Sequence, residues 1–98
     1  MKPRYNQYVY ILVYLNQEPF TLYKQKPYMK NKTHFVTEAV LDKYKIDECR
    51  RAYSFDEDYG KYWFKSISEA KKFLEANYPK FKFEKISDTH YECVRKKR

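Results

Sequence analysis

Glycine is nearly missing from this chain: Gly60 is the sole example in 98 residues. Loops that cradle phosphates need several glycines, because backbone N–H groups must approach the ligand with no Cβ in the way, so a P-loop nucleotide site is excluded. Prolines number four. Tight turns must therefore be built mainly from Asn, Asp, Ser and Pro. The two cysteines, Cys49 and Cys93, are far apart and show no CxxC spacing, which favours reduced thiols over a structural bridge. His34 and His90 are also remote from each other and read as ordinary surface or sheet residues. The longest apolar run, Tyr8 to Leu15, is only eight residues and contains three tyrosines, so no membrane span and no secretion signal is expected. A cytoplasmic location, or a host's cytoplasm if the protein is viral, is the corresponding expectation.

What the chain does have is charge and rings. Sixteen lysines and five arginines give a formal net charge of +8, and twelve tyrosines raise the aromatic fraction to 20%. The hydrophobic fraction of 43% argues against disorder. A chain of this length forms one domain, 1–98, that buries roughly 60–68% of its unfolded surface, so a single small core rich in flat rings is expected. Abundant Lys, Tyr, Phe and Asn with scarce Gly and Ala is what an AT-rich coding sequence produces, as in AT-rich bacteria and their phages.

Tyr8 to Leu15 reads as a central strand, with Val9, Ile11, Val13 and Leu15 on one face and Tyr8, Tyr10, Leu12 and Tyr14 on the other. The aliphatic face is expected under the helices, leaving the tyrosine face half covered or open. Asn16 to Pro19 turns the chain into a partner strand from Phe20 to about Lys24. Lys26 to Lys32 reads as a mobile, basic connection broken by Pro27. A first helix is expected from about Glu38 to Lys45, with Thr37 as its cap. A second hairpin follows, from Glu48 to Phe55 and from Lys61 to Lys65. Ser66-Ile67-Ser68-Glu69 is a capping box, in which Ser66 caps a second helix and Glu69 reaches back to it. Ile67, Ala70, Phe73 and Leu74 line one side of that helix, and Asn77 and Pro79 end it. A closing hairpin runs from Phe81 to Ile86 and from His90 to Arg95, with a frayed basic tail at 95–98. The expected fold is α+β: a mainly antiparallel sheet in the order ββαββαββ, with two helices packed on one face.

No residues gather at a spacing that spells catalysis. Asp47, Glu48, Asp56, Glu57 and Asp58 are read as solvated turn carboxylates rather than a magnesium site. Arg50 and Arg51 follow Cys49, but Arg50 points away from it on a strand, so an activated thiol is not expected. The protein is expected to be no enzyme, and to need no cofactor and no metal. The remaining candidates are basic and aromatic: Tyr8, Tyr10 and Tyr14 on the first strand; Lys24, Lys26, Tyr28, Lys30 and Lys32 around the basic loop; Arg50 and Arg51; and Arg95, Lys96 and Lys97 in the tail. Such cations neutralise phosphates through counterion release, and exposed tyrosines stack on the bases of single strands.

Two segments carry likenesses. Gly60 to Leu74, about a sixth of the chain, resembles the last strand and helix of the arm-type DNA-binding domains of phage integrases. Tyr8-Val9-Tyr10-Ile11-Leu12 is similar to the first strand of GIY-YIG nucleases, although the second Tyr-Ile-Gly element and a helical arginine in the 38–45 segment are missing. The leading expectation is a small basic binding protein of phage or mobile-element type, engaging nucleic acid or a nucleic-acid-handling complex. The alternative is a protein-directed inhibitor of a host defence nuclease, acting in the manner of anti-CRISPR proteins. In that case the tyrosine face meets a host protein, while a homodimer is a further way to cover it.

Overall fold

The fold is that of a computed structural model, which describes residues 7–37 and 52–97. Its largest element is a five-stranded antiparallel sheet in the order β6-β1-β2-β8-β7. The strands are β1 (Val9–Leu15), β2 (Glu18–Gln25), β6 (Trp63–Phe64), β7 (Phe81–Ser87) and β8 (His90–Arg95). A second antiparallel sheet of three strands joins β3 (Pro27–Met29), β4 (His34–Thr37) and β5 (Tyr53–Ser54) in chain order. One helix, α1 (Ile67–Asn77), completes the elements among the described residues. The Cα radius of gyration is 12.9 Å, which matches the ~13 Å of a compact domain of this size.

The central hairpin forms where the aliphatic and aromatic run predicted it. Asn16 and Gln17 both adopt positive φ (54° and 66°) and close a two-residue turn between Leu15 and Glu18. Left-handed residues at both turn positions match the right-handed twist of the flanking strands. Pro19 lies inside β2 rather than in the turn, at an irregularity where Tyr14 faces Pro19 and Val13 faces Thr21. Proline is accepted in a strand at such a bulge.

The helix sits on the opposite face of β1 from the one expected. Val9, Ile11 and Val13 are buried, but against Tyr23, Phe35, Tyr53, Phe55 and Trp63, so the second sheet and not the helix covers them. Ala70 of α1 packs instead with Leu12, Leu22 and Phe64, and Tyr10, Tyr14, Ile67 and Phe73 border that cluster. The reason is bulk. Five buried rings complement the flat aliphatic face of β1, whereas the thin apolar stripe of α1 fits over Leu12 and Leu22 with tyrosines at its rim, where their hydroxyls can reach polar partners.

Three further expectations change. Residues 26–32 are not an irregular connection throughout: Pro27 begins an edge strand, and Asn31 organises the turn by accepting from the N–H groups of Thr33 and His34, each at 2.9 Å. Residues 53–55 and 61–65 do not form one hairpin, because β5 pairs with β4 while β6 pairs with β1. The two strands meet through a side chain instead, with Trp63 Nε1–H donating to the Ser54 carbonyl at 2.9 Å. Glu69 reaches back one residue further than a simple capping box requires, accepting from the Lys65 N–H at 2.9 Å and also from the Tyr59 hydroxyl. The order among the described residues is therefore six strands, one helix and two strands. The expected first helix, 38–45, together with Cys49, Arg50 and Arg51, lies outside the described residues.

Ser66 caps α1 as the sequence indicates: its backbone is extended and its Oγ accepts from the Glu69 N–H at 3.2 Å. Ser66→Ala should lower stability by about 0.5–2 kcal/mol, because it orphans a backbone donor at the helix start. Chemical denaturation checks this; an unchanged midpoint with an unchanged slope would show that the cap contributes nothing.

Candidate nucleic-acid interface

β1 and β2 pair with Val9 opposite Gln25 and Tyr10 opposite Lys24. Tyr10 and Lys24 therefore share the helix-side face, where Tyr10 borders the cluster that Ala70 of α1 joins. Tyr8 extends this face by two residues and is 48% exposed, with the Lys24 ammonium 5.2 Å from its ring centroid. Lys26 follows at the exit from β2, and its ammonium lies 5.9 Å from the ring of Tyr28, itself 45% exposed. Five of the expected residues, Tyr8, Tyr10, Lys24, Lys26 and Tyr28, are thus gathered at the corner where the chain leaves the first sheet for the second. Tyr10 is half-buried, whereas the rings of Tyr8 and Tyr28 are exposed.

Sequence reasoning missed two neighbours of this corner. Tyr91 pairs with Leu22 and Lys85 pairs with Tyr91, so both lie on the same helix-side face. The Lys24 N–H bonds to the Thr89 carbonyl at 2.9 Å, which ties the β7–β8 turn to the same end. Strand pairing, invisible before the sheet order is known, is what brings them there.

The other expected residues separate from this group. Tyr14 is structural: its hydroxyl donates to the Lys61 carbonyl at 2.8 Å, and its ring meets those of Tyr62 and Tyr78 at 5.3 and 6.3 Å. Lys30 and Lys32 are exposed in the β3–β4 turn. Arg95, Lys96 and Lys97 lie at the far end of the first sheet, where Arg95 pairs with Glu18 at 3.6 Å and its guanidinium covers Phe81 at 5.0 Å. Glu18 and Lys24 are separated by six residues of β2, roughly 20 Å of strand, so tail and corner form two basic patches rather than one. The tail patch is enlarged by Lys80 and Lys82, which share shallow depressions with it. Arg50 and Arg51 lie outside the described residues.

The polar groups expected to be inert have visible partners. Asp58 accepts from the Ser54 N–H at 2.7 Å, and its carbonyl receives the N–H groups of Lys61, Tyr62 and Trp63. Among the described residues no three His, Cys, Asp or Glu side chains gather as a metal site. Burial, reinforced by the charge of Glu18, pushes the Cys93 thiol up to about 11. Burial also raises Tyr59, aided by its hydrogen bond to Glu69. Both groups favour the neutral form in the fold. Their contribution is complete below the unfolded-state values and fades as pH rises, for Cys93 between its ordinary 9.0 and about 11. Cys93 in the native protein should accordingly react with iodoacetamide at pH 8 much more slowly than the same residue in urea, and equal rates would contradict its half-buried setting.

No helix among the described residues is long and apolar enough to cross a membrane. Comparison with protein-family models, with curated proteins and with solved structures gave no match, so the likenesses to integrase arm domains and GIY-YIG nucleases rest on the quoted segments alone.

Proposed function

We propose that this is a small, non-enzymatic binding protein of phage or mobile-element type that engages single-stranded nucleic acid, alone or within a nucleic-acid-handling complex. The observation that carries this reading is the convergence of Tyr8, Tyr10, Lys24, Lys26 and Tyr28 at one open corner of the sheet. Exposed rings supply faces on which bases of any sequence stack, and the ammonium groups beside them neutralise the backbone phosphates. The distant patch of Arg95, Lys96 and Lys97 acts at longer range, raising the encounter rate with a polyanion through the net charge of +8. Occupancy is the mechanism: no bond is made or broken, and the bound strand is withheld from other factors.

The reading is tested by titrating the protein into a labelled single-stranded oligonucleotide. Saturable binding that Tyr8→Ala weakens supports it, and absence of binding even at low salt overturns it. A protein target, as in inhibition of a host defence nuclease, would show itself as a partner retained from host lysate after nuclease treatment.

A further inference from the structure

β7 ends the five-stranded sheet, and one of its edges has no strand beside it among the described residues. The Lys96 N–H bonds to the Lys80 carbonyl at 2.8 Å, in the same register as Phe81 opposite Arg95 and Phe83 opposite Cys93. Hydrogen-bonded pairs recur every second residue, so Lys82 and Glu84 direct their backbone groups toward β8, while Phe81, Phe83 and Lys85 direct theirs to the open edge. The Phe81 N–H is already taken by the Tyr78 carbonyl. The Phe81 carbonyl, both backbone groups of Phe83 and the Lys85 N–H face outward.

We infer that β7 pairs antiparallel with β7 of a second copy of this chain, about a two-fold axis through Phe83. In that register Phe83 faces Phe83 of the second copy, its N–H and carbonyl bonding reciprocally. The Lys85 N–H meets the Phe81 carbonyl, again twice by symmetry. Lys82 stands opposite Glu84 of the second copy, so each interface holds two opposite-charge pairs. Shifting the register by two residues in one direction places Lys82 opposite Lys82, and in the other places Glu84 opposite Glu84. Like charges directly opposite are unfavourable, so side-chain charge favours the unshifted register. The irregularity between Lys85 and Ser87 ends the ladder and keeps it from growing into an aggregating edge. A perpendicular two-fold joins the two sheets edge to edge with both helix-side faces on one side. The dimer is isologous and does not depend on the nucleic-acid reading.

Lys82 and Glu84 are exposed, so their exchange leaves the fold unstrained. Glu84→Lys also replaces a like-charge neighbour of Glu92 within the hairpin, which leaves the monomer no weaker. Sedimentation equilibrium on nuclease-treated protein should show a reversible monomer–dimer equilibrium. E84K and K82E should each raise the dissociation constant about tenfold or more, because each turns two attractive pairs into repulsive ones. The double variant K82E/E84K, with the pairs reversed, should return it to within about threefold of the parent. A monomer at every concentration up to about 1 mM, a dimer indifferent to both single changes, or a double variant no tighter than the singles would each overturn the inference.

Discussion

Trp63→Ala should lower the stability of the domain by about 3–5 kcal/mol, the range expected when a fully buried large ring is truncated to a methyl group. Trp63 is 0% exposed and lies in β6, paired with Ile11, so it belongs to the first sheet by backbone. Its ring belongs to the second: it packs edge-on against Phe35 at 5.1 Å, and its Nε1–H holds the Ser54 carbonyl at 2.9 Å. Truncation would open a cavity between the sheets and leave that carbonyl without its donor. For a domain whose total stability is of order 5–15 kcal/mol, the loss lowers the melting temperature by more than about 15 °C. Trp63→Phe separates the two contributions, since it retains most of the apolar volume and loses the hydrogen bond; a smaller cost of about 1–2 kcal/mol is expected. Differential scanning calorimetry measures both. A cost below about 1 kcal/mol for the alanine variant would show that the inter-sheet contact is not where the core is anchored.

The importance of Trp63 was not legible in the sequence, and the cause is instructive. Periodicity identifies β1, the capped helix and the closing hairpin, because each is specified locally: by alternation, by Ser66 and Glu69, and by the turn at Ser87 to Thr89. Whether a strand's aliphatic or aromatic face meets the helix is decided by what else needs covering. Here the short strands β3, β4 and β5 supplied a second apolar layer that alternation over two to four residues hardly announces. A proline at the head of an edge strand also reads locally as a break, and only the pairing of Pro27 with Thr37 shows otherwise.

The candidate interface was legible to the same degree. Tyr8, Tyr10, Lys24, Lys26 and Tyr28 were recognisable as residue types that belong at such a surface, and strand pairing brings them together. Tyr14 is of the same type and on the same face, but α1 passes over its end of β1, and its hydroxyl is taken by the Lys61 carbonyl. Lys85 and Tyr91 are distant in sequence and reach the corner only because β8 pairs with β2. Long-range pairing of this kind leaves no local trace.

The most direct test of the proposed function is the affinity for a labelled single-stranded oligonucleotide across a salt series. Each phosphate contacted by a lysine should contribute a slope of about −0.7 to log K against log salt. Replacing the exposed residues Lys26, Lys30 and Lys32 together by alanine should flatten that slope by up to about 2 while leaving the melting temperature near that of the parent. Tyr8→Ala should weaken binding by about 5- to 150-fold, the equivalent of ~1–3 kcal/mol of lost stacking, with the slope unchanged because stacking releases few counterions. Slope and affinity thus respond to different residues. A salt slope carried by the lysines together with a salt-independent loss from Tyr8 is the predicted result; no binding at low salt, or binding that neither substitution alters, would contradict it.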